Sequence, residues 1–72
     1  MSDSGRDLGT PDKILAAALE REKAACAFYA NLARHARVEM VRELVEHLKD
    51  EEHKHVRRIE DMLARLNLGR DA

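Results

Sequence analysis

Apolar positions along the chain fall into two helical stripes that are out of phase with each other. In the first run they recur at Leu15, Ala18/Leu19, Ala25/Cys26, Tyr29, Leu32/Ala33 and Ala36. In the second they recur at Val38, Val41, Val45, Leu48, Ile59, Met62 and Leu66, and positions 52 and 55 complete steps that alternate between three and four residues. Such spacing marks a helix that buries one face. Thr10-Pro11-Asp12 predicts the first helix start, with Thr at the cap, Pro in the first turn and Asp at the positive end of the helix dipole.

The link "RHARVEM" contains neither Gly nor Pro, so one long helix competes with two. Phase decides between them. Continuing the first stripe would turn Glu39/Met40, Glu43, His47 and Asp50 inward, which is mostly polar. A turn near 36–38 restores an apolar stripe, and two helices over about 11–35 and 39–66 then form an antiparallel hairpin. The predicted fold class is all-α. Residues 1–9, polar and rich in Gly and Ser, are expected to be a disordered arm, with Gly69 as a left-handed cap before a short tail, 69–72.

Three seam positions break the apolar rule: Glu22, Glu52 and His55. Burying a carboxylate without a partner costs several kcal/mol. The hairpin supplies partners. With the pivot at Arg37, Glu22 and Glu52 each lie fifteen residues away, which is roughly 22 Å up both helices. Glu52 and His55 form a Glu-x-x-His, which places a carboxylate and an imidazole on neighbouring turns of one face. Four-helix di-iron and di-manganese sites take a Glu from each of two helices and a Glu-x-x-His from each of the other two. One chain carries half of that set and two chains carry all of it. The competing account is a polar layer in which Glu–His hydrogen bonds fix the register of the bundle.

Composition points to a partner as well. The chain has 72 residues, with one Phe, one Tyr and no Trp, so aliphatic residues must build any core. Chains this small usually need a staple or a second copy. Cys26 is the only cysteine, so no internal disulfide can form, and a reducing compartment is expected. The net charge is −1, with acids and bases interspersed, which argues against a nucleic-acid or membrane partner. The apolar stretch "AACAFYA" is too short to cross a bilayer, and "MSDSGRDLGT" does not read as a secretory signal.

The segments "EKAACAFY" and "DEEHKH" resemble the short rubrerythrin-like members of the ferritin-like superfamily, and in architecture the encapsulated ferritins. The family pattern is a Glu, an aromatic–Tyr pair ending seven residues on, and a Glu-x-x-His; here these are Glu22, Phe28-Tyr29, Glu52 and His55. The resemblance covers roughly residues 12–66. It implies a ferritin-like four-helix bundle made by a homodimer, with Glu22, Glu52 and His55 as iron ligands and Tyr29 beside them. It also implies two iron ions per dimer and a ferroxidase oxidation of iron(II) to iron(III), serving iron storage or detoxification. Manganese or zinc would also suit the donors. The resemblance further implies a cytoplasmic setting, a ring of dimers and an encapsulin-type shell as partner. Two alternatives stand beside it: a non-enzymatic dimer bridged by zinc or manganese, and a rubrerythrin-like peroxide-reducing protein. Cys26, His47 and His53 are expected to be a small core residue and two solvated imidazoles. Glu20 and Glu51, beside the stripe, are the residues that would enter the site if the register shifted.

Overall fold

The computed structural model describes residues 9–71. The expected disordered arm lies outside the described residues, apart from Gly9 in a turn. Two helices follow, α1 over Pro11–His35 and α2 over Glu39–Asp71, and there is no strand among the described residues. Helix α1 opens where its start signal predicts, though the Thr10 side chain makes no cap bond: the Thr10 carbonyl accepts the Ile14 N–H at 2.9 Å and Pro11 occupies the first turn. Its last turn carries Arg34 and His35, which complement the negative end of the dipole. The His35 Nδ1–H donates to the Asn31 carbonyl at 2.9 Å, satisfying a C-terminal acceptor.

The chain reverses between the two helices without a glycine. Ala36 turns extended, at φ −72° and ψ 124°. The Val38 carbonyl then accepts the N–H groups of Val41 and Arg42, both at 3.0 Å, and starts α2. Arg42 ties the reversal together, since its guanidinium donates to the Ala36 carbonyl at 3.0 Å and to Glu39 Oε1 at 2.6 Å. Arg42→Ala is expected to cost about 1 kcal/mol, because one part-buried carbonyl loses its donor. In a domain of this size that lowers the melting temperature by roughly 4–8 °C; an unchanged melt would show that the turn holds without this clamp.

Helix α2 runs further than expected, through the predicted Asn67–Gly69 stop to Asp71. No glycine among the described residues takes a positive φ. Gly69 stays helical because nothing at that level pulls the chain aside: a Cβ placed there would meet nothing within 4 Å. A helical glycine costs only about 1 kcal/mol, too little to end a helix by itself.

The molecule measures 49 × 32 × 11 Å. Its thinnest dimension is one helix diameter, so the hairpin is a single layer. Among the described residues only Cys26 and Ala33 are buried, both of them small. The line of α2 that meets α1 is Val45, Lys49, Glu52, Val56, Ile59, Leu63 and Leu66, all half-buried. This corrects the predicted stripe. Val56 and Leu63 join it, whereas Val38, Val41, Leu48 and Met62 are exposed. The apolar positions of α2 form a band, one edge of which packs on α1 while the other faces outward. Outward-facing Leu48 and Met62 lie on the same side as Ile14, Phe28 and Leu32 of α1. These exposed side chains make one side of the hairpin largely apolar. No described helix is long and apolar enough to cross a membrane.

Candidate metal centre

Helix α1 brings Glu22 and helix α2 brings Glu52 and His55 to one point. One donor atom from each lies within 4.8 Å of the other two, the group of this kind found among the described residues. His55 Nδ1 stands 3.2 Å from Glu52 Oε1 and 3.4 Å from Glu22 Oε1. By residue count His55 is one turn above Glu22, opposite Leu19. Helical side chains lean toward the N-terminus of their own helix, however, and this lean carries the imidazole of His55 back down to the carboxylates. The alternative residues stay out. Glu51 pairs with Lys54 at 3.4 Å and Glu20 is exposed. Asp61 and Arg65, one turn apart further along α2, pair at 3.0 Å.

The side chains of Glu22 and Glu52 are 26% and 21% exposed, and that of His55 is 43% exposed. His55 lies on the outward-facing edge of α2, three residues from Glu52 and seven from Met62. The cluster thus opens toward the apolar face and is closed toward the layer's interior. One hairpin supplies two carboxylates and one imidazole. Hard oxygen donors with one nitrogen donor suit iron or manganese and also zinc. Three protein donors leave coordination positions of such an ion open to water or to further ligands. The Nδ1 that now contacts both carboxylates is the same atom that a metal would take, and a metal would therefore replace these contacts.

The two carboxylates perturb each other in opposite directions. A hydrogen bond between their side chains holds Glu22 below the usual carboxylate range, aided by His55 and the nearby charge of Arg21. The same hydrogen bond lifts Glu52 above it, with burial and the charge of Glu22 adding to the rise. Of the two, Glu52 therefore takes up a proton first as pH falls. The sign for stability follows. A raised carboxylate stabilises the fold at low pH, and this contribution is lost as pH rises through the raised value; a lowered one acts in the reverse sense. In metal-free protein the Glu52 contribution should appear as pH falls from 7 into the carboxylate range, until Glu22 is itself protonated. Metal requires both groups ionised, so metal affinity should fall over the same window. Melting curves at pH 7 and pH 5, with chelator and with zinc, should therefore shift in opposite directions, and Glu52→Gln should remove both shifts. Parallel shifts would contradict this opposition of the two carboxylates.

Tyr29 is half-buried, and its ring meets Phe28 edge-on with centroids 5.4 Å apart. No hydrogen bond joins its hydroxyl to Glu22, Glu52 or His55 within one chain, so its expected place beside the ligands reduces here to a shared helix face. Cys26 is buried as expected. Burial pushes its thiol up, and the charges of Glu52 and Glu22 add to this against Lys49, so it stays protonated. His47 and His53 are exposed, as expected. Residue counting had not singled out Lys23 and Lys49, which line a groove with His53 on the other side of the layer.

No curated protein matches the chain, and no solved structure does. The family model for rubrerythrin matches it over residues 13–72, which takes in both helices and all three clustered side chains. Matched over nearly all of both helices, the chain belongs to the rubrerythrin family.

Proposed function

We propose that two copies of this hairpin pair through their apolar faces into a ferritin-like four-helix bundle and there bind and oxidise iron(II). The observation that carries this reading is the place of the cluster: Glu22, Glu52 and His55 converge within 4.8 Å at the edge of an apolar face that one chain leaves exposed. A second copy against that face contributes the same three residues. Four carboxylates then balance the charge of two divalent ions, and two imidazoles complete the donor set of a two-metal centre.

Each part of the chain has a task in this reading. Glu22 and Glu52, both ionised, hold iron(II) as anionic oxygen donors. His55 holds it through Nδ1. The apolar residues around the cluster exclude bulk water, which strengthens the hold of the carboxylates on the ions. Two iron(II) ions give up one electron each, and dioxygen with two protons accepts the pair to become hydrogen peroxide. The products are iron(III), which the same hard donors favour.

The test is anaerobic titration with iron(II) followed by admission of air, with native mass measured throughout. The expected result is saturable uptake of one iron per chain in a dimer, then oxygen consumption in proportion to iron. A zinc-tightened dimer that consumes no oxygen would make the metal purely structural. Absence of uptake would overturn the reading.

A further inference from the structure

The groove on the far side of the hairpin has a chemistry of its own. It measures about 460 Å3, within the usual span of small-molecule sites. Its floor is Cys26, Ala27, Ala30 and Val56, and its rim is Lys23, Lys49 and His53. No acidic residue lines it, although the chain holds 14 acids against 13 lysines and arginines. Small residues on α1 create the depth, and the basic residues come from both helices.

Counted from Arg37, Lys23 lies fourteen residues back, and Lys49 and His53 lie twelve and sixteen residues forward. Lys23 therefore stands across the groove midway between the other two, about 3 Å from each along the axis. Helices packed roughly 8–10 Å apart leave these three side chains able to meet over one small ion. Little competes for them. Lys23 and His53 have no ion pair with a described residue, and Lys49 has only a loose contact with Glu46 at 3.5 Å at the surface.

The groove also survives pairing of the chains. Residues nine apart on a helix point about 180° from each other. Lys23 is nine residues from both Ile14 and Leu32, and His53 is nine from both Leu44 and Met62. Those four are exposed apolar residues of the opposite face. A partner that covers them leaves the basic rim open.

We propose that this groove binds a small organic phosphate, its head on Lys23, Lys49 and His53 and its apolar body on Ala27, Ala30 and Val56. An oxyanion matches a rim of ammonium and imidazole donors, since hydrogen bonds to ionised groups are the strong ones. An apolar body matches a floor without polar side chains other than a protonated thiol. The site is independent of the metal reading, because its residues are not those of the cluster.

Metal-free protein, kept under chelator, is titrated with phenyl phosphate, inorganic phosphate and uncharged benzyl alcohol while backbone amides are followed by NMR. Phenyl phosphate should give saturable shifts at residues 23–30 and 49–56 and bind more tightly than the other two. The double variant Lys23→Gln, Lys49→Gln should lose about tenfold or more in affinity with unchanged helix content, the loss expected from removing charged hydrogen-bond donors. Lys54→Gln, a surface lysine outside the groove, should bind as the parent does. Shifts that never saturate, an unaffected double variant, an equal loss in Lys54→Gln, or benzyl alcohol binding as tightly as phenyl phosphate would each overturn the proposal.

Discussion

Glu52→Ala is expected to abolish iron binding while making the metal-free protein more stable. The two effects have one cause. Glu52 faces Glu22 across the helix pair and His55 on its own helix, and its pKa is raised by the hydrogen bond with Glu22, with burial and the charge of Glu22 adding to the rise. Removing it relieves that crowding, which is a cost of the empty site, and it removes a ligand, which is a loss only when metal is present. Iron affinity should fall by at least about a hundredfold, the upper end of what even indirect support of a ligand contributes. The melting temperature under chelator should rise. Glu52→Gln should lose iron as well but keep the hydrogen bond to Glu22, so the two variants separate charge from crowding. A Glu52→Ala protein that takes up a full complement of iron would exclude Glu52 as a ligand and with it the proposed centre.

Leu48→Lys is expected to unfold the chain at concentrations where the parent is helical. In a single hairpin Leu48 is 37% exposed, and a lysine there should change stability by no more than about 0.5 kcal/mol. In a paired bundle each copy would place an ammonium between two apolar faces, at several kcal/mol apiece unless it finds a partner. The gap between those figures makes the substitution decisive. A lone hairpin with only Cys26 and Ala33 buried has little to hold it together, so a chain that cannot pair should lose its helix signal. Sedimentation and circular dichroism read the two outcomes. A helical monomer with an unchanged melt would show that the exposed face is not an interface.

Much of this arrangement is legible in the amino-acid order. The phase break near 36–38 placed the turn, and equal counts from Arg37 placed Glu22 opposite Glu52. Both inferences rest on fixed helix geometry, which leaves little freedom once the pivot is known. What was not legible is which edge of a wide apolar band takes which neighbour. Leu48 and Lys49, or Met62 and Leu63, are adjacent in sequence, and periodicity alone admits either as the inward residue. The packing of α1 chose Lys49 and Leu63, leaving Leu48 and Met62 outside. The end of α2 was misplaced for a related reason: Gly69 permits a left-handed cap but does not require one, and no contact demanded a turn. The lean of His55 toward Glu22 needed side-chain direction as well as residue spacing. The basic groove was missed because each of its members, taken alone, resembles an ordinary solvated residue.

The 11 Å depth of the hairpin has a kinetic consequence. A sheet of matter one helix deep has no interior in which to shelter its amides from solvent deuterium. Under the proposed pairing, slow exchange would come mainly from association, and protection factors should rise with the total protein concentration. If two chains pair as proposed, acquiring a stable structure becomes a second-order event for this chain. Its refolding half-time should shorten as more of it is present, and at high dilution a newly made copy would wait on an encounter with another.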